Sequence, residues 1–355
     1  MKRFGAALLV VLMASPGALF SLEEKRSWLS IRFSQASWEP AVFNEIDKLR
    51  QINLQDSAIF SGGLLATPAD YFSYGNARQS MPLAEITLSI GGETNRGNIS
   101  LGYGSTSPSG LSGSGFSYVN SQTFNILLQS NTNQFDIYQS GEFKHYRLSY
   151  DHEYYPFRDD AGFLNGLGIQ AGLQLMRDEF NGGLFRTGEA QLDSGTSGSF
   201  TSSSISAVNS FGSTEHSLTT GALTLGLIYR FKLNDRIDME AGAAFGAGKG
   251  QSNAILKSFS TLTLGTASFP FESASEYTTD GDLRSSKLHF GAAYRFTELF
   301  AINAYYSVTN RYYTPTSGTI KSGGLISIEN PSNGPFYTQK DKMSHVGIEF
   351  QARFN

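Results

Sequence analysis

Apolar side chains recur at every second position in several stretches of this 355-residue chain. One run carries them at Leu223, Leu225, Leu227, Tyr229 and Phe231. Because successive side chains of a β-strand point to opposite faces, such a run predicts a strand with one apolar face and one small or polar face. The runs are close to the ~9–11 residues that a tilted strand needs to cross a bilayer.

Short turns and long polar stretches alternate between the runs. The predicted strands are 27–37, 82–92, 97–105, 143–155, 165–177, 219–232, 236–248, 285–297, 299–311 and 343–355. The long polar stretches are 38–80, 104–142, 178–217, 249–284 and 313–341. Short periplasmic turns, long outer loops and an even strand count are typical of outer-membrane barrels. The sequence therefore predicts an all-β fold, a closed antiparallel transmembrane β-barrel of about ten strands. A further hairpin from 116–129 and 134–140 would give twelve, which we keep as the alternative.

The N-terminal end of the chain suggests export. Residues 1–21 begin with Lys2 and Arg3, continue with a short apolar run and end in a stretch rich in small residues, which is the layout of a secretory signal peptide. We expect 22–355 to form one barrel domain, with 38–80 as a long first loop or partial plug. Within that loop, 40–52 predicts a short amphipathic helix.

The composition excludes several classes of protein. There are 38 Gly, 13% aromatic residues and only 16% charged residues. The net charge of −4 and the lack of a basic stripe give no indication of nucleic-acid binding. The chain has no cysteine, which excludes thiol catalysis, cysteine-ligated metals and an acylated cysteine.

Arginine recurs between two apolar residues, as in the Tyr-Arg-Phe runs at 229–231 and 294–296. On the predicted topology Arg230, Arg295 and Arg353 face the lumen near the periplasmic end, and their aromatic neighbours face lipid as part of a girdle. An arginine facing lipid at the midplane would cost about 2–4 kcal/mol, which this alternation avoids. Inward carboxylates on the next strands are the expected partners, because a buried charge must be paired.

The predicted lumen cluster has two interpretations. It consists of Arg147, Arg230, Asp238, Glu240, Arg295, Glu349 and Arg353. The cluster either fills the lower barrel as a polar core or forms the constriction of a narrow pore. Barrels of ~8 strands are filled by side chains, whereas barrels of ~16–18 strands hold open channels. A barrel of ten to twelve strands lies between these sizes, so strand number does not decide between the two interpretations. Inward glycines such as Gly226 and Gly242 would leave room for a pore.

The chain resembles the transmembrane β-barrels of bacterial outer membranes, in pattern and over most of the mature length. Its closing run, HVGIEFQARFN at 345–355, looks like the C-terminal strand by which such proteins are assembled. The resemblance implies a location in the outer membrane, contact with outer-membrane lipid and recognition by the barrel-assembly machinery. It also implies either a narrow porin-like channel for small solutes or a surface-exposed barrel whose loops contact extracellular ligands.

An omptin-like protease or a lipid-modifying enzyme at the rim is the alternative function. His145, His289 and His345 begin strands on the predicted lumen face near the outer rim, whereas alternation turns His152 away from its acidic neighbours. No catalytic residue stands out, and we predict a protein without enzymatic activity. The glycine-rich stretch at 242–250 lacks phosphate-loop spacing. Asp280 and Asp282 are ordinary turn residues, so no metal or cofactor is predicted.

Overall fold

The structure is a computed structural model that describes residues 26–41, 65–75, 78–107, 112–123, 126–158, 162–196, 199–264, 267–323, 327–332 and 338–354. Thirteen strands and a short 3-10 turn, Phe163–Gly166, make up this part of the chain. The strands are β1 (Arg26–Glu39), β2 (Leu65–Gly75), β3 (Gln79–Gly91), β4 (Asn95–Thr106), β5 (Ser112–Thr123), β6 (Ile126–Tyr154), β7 (Leu167–Thr196), β8 (Ser199–Lys232), β9 (Ile237–Leu264), β10 (Ala267–Arg295), β11 (Phe300–Gly323), β12 (Ser327–Ser332) and β13 (Gln339–Phe354).

Ten strands close into a ring. Its order is β6-β4-β3-β1-β13-β11-β10-β9-β8-β7, and pairing between β7 and β6 completes it. All these pairs are antiparallel. The first and last described strands, β1 and β13, pair with each other from Ser27 opposite Phe354 to Glu39 opposite Lys342. The predicted closed antiparallel barrel of ten strands is confirmed, and the twelve-strand alternative is wrong.

The strands β2, β5 and β12 continue barrel strands outward instead of adding new ones. Leu65 pairs with Gln122 in β2 and β5, and Leu83 pairs with Gly104 in β3 and β4. The two pairs of strands therefore have the same register, with β2 continuing β3 and β5 continuing β4. β5 also pairs with the outer part of β6, and β12 pairs with the outer end of β11. The Asn-Thr-Asn sequence at 131–133, predicted as a turn, lies inside β6.

Where the structure describes them, the long outer stretches are strands rather than the predicted loops. β6 to β10 have 28 to 34 residues each, far more than the ~9–11 that cross a bilayer. Beyond the hydrocarbon neither face has to be apolar, so polar, serine-rich sequence continues the ladders. The described residues of this region therefore form an outward extension of the barrel. The predicted signal peptide at 1–21 and nearly all of the predicted helix at 40–52 lie outside the described residues.

The barrel wall is apolar on the outside. Leu223, Phe245 and Leu101 are 68%, 69% and 59% exposed, as expected for side chains that face lipid. The outward apolar runs define the membrane-spanning segments as 29–33, 82–88, 97–103, 146–154, 167–175, 221–231, 239–247, 288–294, 302–308 and 346–354. Tyr294 and Phe354 face outward at the periplasmic end, as the predicted girdle requires. A search of the described residues for a helix of membrane-spanning length and hydrophobicity finds none.

Candidate functional site in the barrel lumen

The lower lumen holds an ion network around Arg230. The Arg230 guanidinium lies 2.5 Å from Glu240 Oε2 on the next strand and 2.9 Å from Glu153 Oε2 on β6. His289 Nε2 is 3.1 Å from the other oxygen of Glu240. The pairing of Arg230 with Glu240 is the expected one. Glu153 is a partner that sequence analysis missed.

The periplasmic mouth holds the other expected arginines. Arg295 Nε donates to Asp238 Oδ2 at 2.7 Å, and both side chains remain about one-third exposed. Arg353 faces inward opposite Trp28 on β1, and its buried Nε has no hydrogen-bond partner in the described part of the chain. Two of the predicted residues thus form an ion pair open to periplasmic water.

A second network lies across β1, β3, β6 and β13. Arg32 is 2.7 Å from Glu85 and also contacts Glu349, and Arg147 approaches Glu85 at 3.4 Å. Two predicted residues, Arg147 and Glu349, therefore belong to a network separate from that of Arg230. Sequence analysis missed the central pair, although Arg32 stands between Ile31 and Phe33 in the same apolar-Arg-apolar pattern.

The upper lumen is crossed by a third network, just outward of the membrane-spanning segments. Arg311 Nη2 lies 2.6 Å from Asp178 Oδ2 and 2.8 Å from Asp341 Oδ2. Arg311 is on β11 and Asp178 on β7, four strands apart in the ring, so this contact bridges the lumen. His145 Nδ1 is 2.6 Å from Asp178, and Trp38 Nε1 donates to Asp341 at 3.0 Å. The walls are tied together at this level.

The two carboxyl groups that share Arg311 have opposite pKa shifts. Burial favours the neutral form of Asp178, but the Arg311 cation and the contact with His145 outweigh it and lower the pKa of Asp178 to about 2. For Asp341, burial outweighs the attraction of Arg311 and raises its pKa, and the charge of Asp178 adds to that effect. Asp178 is therefore the more acidic of the two carboxyl groups.

An aromatic cluster, here called the plug, packs at and above this level. The ring centroids of Phe143 and Phe180 are 4.5 Å apart, and those of Trp38 and Phe143 are 5.4 Å apart. Its buried members come from seven of the ten ring strands: Ala36, Trp38, Met81, Tyr138, Phe143, Phe180, Leu184, Ala254, Leu256, Tyr277 and Met343. None is more than 6% exposed. Side chains from opposite sides of the ring therefore pack together inside the lumen at this level.

A small cavity with both apolar and charged lining residues lies between the second and third networks. Its volume is about 30 Å³, and Glu85, His145, Arg147, Arg311 and His345 are among its lining residues. That volume holds about two water molecules, and the lining supplies the polar partners that buried water needs. The cavity thus bridges two charge networks without opening the lumen.

The inward glycines are covered by neighbouring side chains. Gly168 lies against the Tyr155 ring, Gly172 against Asp151 and Gly242 against the His289 ring, and a Cβ at any of these positions would overlap its neighbour. At these three positions the absence of a Cβ makes room for a neighbouring side chain.

The histidines do not form a rim site. His145 is paired with Asp178, and both residues are at most 5% exposed, beneath the plug rather than at the rim. His345 contacts Tyr305 and Ser307. His289 was predicted near the outer rim, but it lies in the lower lumen beside Glu240, because β10 begins far beyond the predicted strand. No group of three or more His, Asp or Glu residues suited to a metal occurs within the described ranges.

Comparisons with known proteins return structural likenesses only. No protein-family model matches the sequence, and no curated protein matches it. The outer-membrane protease OmpT from Escherichia coli is 11% identical over 94% of this chain and 98% of its own, with a TM-score of 0.44. The outer-membrane protein OprG from Pseudomonas aeruginosa is 11% identical over 94% and 98%, with a TM-score of 0.24. The Pseudomonas putida toluene transporter TodX is 9% identical over 97% and 93%, with a TM-score of 0.21.

The class of the protein follows from its own architecture. A closed ring leaves no unpaired sheet edge at membrane depth, and the exterior of the spanning segments is apolar except at His152 near the periplasmic end. Together with the aromatic side chains at the periplasmic end, these features define a porin-like transmembrane β-barrel of the bacterial outer membrane. It is embedded in outer-membrane lipid.

Proposed function

We propose that this protein is a closed, surface-exposed barrel that displays its outward extension to extracellular ligands and does not act as an open porin. The observation that carries the proposal is the plug. Its largest side chains, Trp38, Phe143 and Phe180, are at most 2% exposed. The cluster as a whole joins opposite sides of the ring, since it includes Met81 on β3 and Ala254 on β9, five strands apart. A passage for small solutes would require these rings to move apart.

The lumen charges support a structural rather than a selective role. In a conducting constriction the charged groups face water, whereas Glu153, Asp178 and Asp341 are 3–4% exposed and each contacts an arginine. Cross-lumen pairs of this kind fix the walls relative to one another. Within the predicted cluster, Glu349 is 4% exposed and contacts Arg32, and Arg230 contacts the buried Glu153. We propose the cluster Arg147, Arg230, Asp238, Glu240, Arg295, Glu349 and Arg353 as a polar core instead of a pore constriction, with Asp238 and Arg295 at its water-exposed periplasmic end.

The outward extension is the part available for recognition. β7 and β8 run for 30 and 34 residues, and about two-thirds of each lies beyond its membrane-spanning segment. A rigid scaffold that carries polar surface away from the membrane suits contact with a ligand outside the cell. We propose extracellular ligands as partners on this basis.

Export and assembly complete the proposal. We propose that residues 1–21 act as a signal peptide and that the barrel-assembly machinery recognises the C-terminal strand β13. The closure of the ring supports the second role, because β13 forms the seam with β1 along 13 residue pairs. Mistargeting of a chain that lacks 345–355 would be the expected result.

Planar-bilayer recording of the refolded, heat-modifiable protein tests the closed state. We expect no single-channel steps from the wild type. The double variant Phe143→Ala/Phe180→Ala, which empties the centre of the plug, is expected to give steps. The matched control Phe33→Ala/Phe245→Ala removes two lipid-facing rings and should stay silent. Reproducible steps from wild type, altered by charge reversal at Arg230, would replace this proposal with a narrow channel.

A further inference from the structure

Cations occupy the outer face of the barrel just beyond the apolar belt. They are Lys144, Arg177, Lys249, Arg284, Lys340 and Lys342. Three of them have a carboxylate close by: Lys144 is 2.8 Å from Glu142, Arg177 is 2.6 Å from Glu179, and Lys249 is 2.5 Å from Asp282. These three pairs are locally neutral.

The other three cations are grouped and have no ion pair among the described residues. Arg284 is on β10 and Lys340 and Lys342 are on β13, on either side of β11. Arg284 is registered opposite Tyr312, and Tyr312 is opposite Lys340, so the three lie in one row across adjacent strands. With strands about 4.8 Å apart, the two cations at the ends of the row are separated by about 10 Å.

Lys342 adds a second row on the membrane side of the first. It is registered opposite Asn310, which faces Ser286 on β10. Two carboxylates lie nearby: Glu39 on β1, across from Lys342 without an ion pair within 4 Å, and Asp282, two residues from Arg284 on the same face and paired with Lys249. The surface made by Arg284, Tyr312, Lys340 and Lys342, here called the basic surface, therefore keeps an excess of positive charge.

The basic surface sits directly above lipid-facing residues on the same strands. Leu288, Phe290 and Val346 are 53%, 56% and 60% exposed. A lipid whose acyl chains pack on these side chains would place its headgroup beside Arg284 and the two lysines. The surface is thus at the height of the outer-leaflet headgroups, on the outside of the wall.

The chemistry of the four side chains selects a phosphorylated sugar. The planar guanidinium of Arg284 is suited to grip a phosphate with two parallel hydrogen bonds, and the lysines add mobile point charges. Tyr312 is 38% exposed and offers a flat ring between the cations. We propose that the basic surface binds the phosphorylated sugar headgroup of an outer-leaflet glycolipid. The proposal depends on the barrel's place in the outer membrane and not on whether its lumen conducts.

Binding of bis-phosphorylated lipid A to the purified full-length barrel in mixed micelles, read by native mass spectrometry, tests the proposal. Wild type is expected to retain lipid A. The triple variant Arg284→Gln/Lys340→Gln/Lys342→Gln should bind at least about tenfold more weakly, since each surface cation contributes to anionic headgroup binding. The matched triple Lys144→Gln/Arg177→Gln/Lys249→Gln, which removes the paired cations, should change the affinity by less than about twofold.

Two further arms identify the ligand. Dephosphorylated lipid A should bind wild type as weakly as lipid A binds the first triple variant, and inorganic phosphate should not displace bound lipid A. Equal losses in the two triple variants, unchanged binding of dephosphorylated lipid A, or displacement by free phosphate would each overturn the proposal. Folding of every variant is checked by heat-modifiable migration. If the triple variant fails to fold, Arg284→Lys is used in its place. It keeps the positive charge but loses the two parallel hydrogen bonds of the guanidinium, and should weaken binding about threefold. An unchanged affinity of that variant would also overturn the proposal.

Discussion

The periplasmic mouth and the upper lumen both contain ion pairs, but only those of the upper lumen are sealed from water. Arg295 and Asp238 at the periplasmic mouth have side chains 38% and 33% exposed. Arg311, Asp178 and Asp341 in the upper lumen have side chains 4–6% exposed and lie beside the plug. The same kind of ion pair therefore lies in water at the periplasmic mouth and in a dry interior in the upper lumen.

This difference determines what each ion pair does. An ion pair open to water contributes little to stability because both ions are already solvated. A sealed ion pair contributes little net energy either, but losing one partner leaves a charge that water cannot reach. The upper network should therefore be intolerant of single changes and the lower mouth tolerant of them.

Arg311→Met is expected to have the largest effect on stability. It removes the cation shared by Asp178 and Asp341 and leaves two carboxylates in a sealed space, at a cost of about 3–5 kcal/mol. Urea unfolding in lipid vesicles, followed by tryptophan fluorescence, measures the loss. The control Arg311→Met/Asp178→Asn/Asp341→Asn removes the charges together and should recover most of it. A single variant as stable as wild type would show that water reaches this level.

Much of the lower site was accessible to sequence reasoning because both partners lie on one tight hairpin. β8 ends at Lys232 and β9 starts at Ile237, within a residue of the predictions, since the lipid-facing alternation fixes both strands. Once the hairpin is placed, the pairing of Arg230 with Glu240 follows from strand register. This part of the fold can be predicted because a strand in contact with hydrocarbon must place an apolar side chain at every second position.

The upper site was not accessible in this way. Arg311 and Asp178 are 133 residues apart and meet only because the ring brings β11 opposite β7. Asp178 and Phe180 fell in a stretch predicted as a loop, and Trp38 and Phe143 lay at or just past the end of a predicted strand. Outside the hydrocarbon the exterior of the wall turns polar, and the alternation that reveals a strand fades. Its inward aromatic residues then look like isolated loop residues.

Acidification sharpens the comparison with a smaller effect. The pKa of Asp178 is lowered from 3.8 to about 2, so its ionised form stabilises the fold above about pH 4, and that stability is lost as the pH falls toward 2. The shift corresponds to about 2 kcal/mol. The raised pKa of Asp341 acts in the opposite sense, and both groups face Arg311.

Unfolding of wild type and Asp178→Asn at several pH values separates the two carboxyl groups. Between about pH 5 and pH 2, wild type should lose about 2 kcal/mol more than the variant, which retains Asp341 and His145. Parallel pH profiles would mean that Asp178 titrates normally and that its contact with Arg311 is solvated.

The smallest effect is expected at the mouth. Arg295→Met removes the hydrogen bond to Asp238 but leaves that carboxylate one-third exposed to water, so the unfolding free energy should fall by less than about 1 kcal/mol. A double-mutant cycle with Asp238→Asn isolates the pair, and its coupling energy should shrink further at high salt, because screening acts on solvated charges. A salt-independent coupling as large as the loss from Arg311→Met would show that the mouth is as dry as the upper lumen, and the two halves of the barrel would then be equivalent.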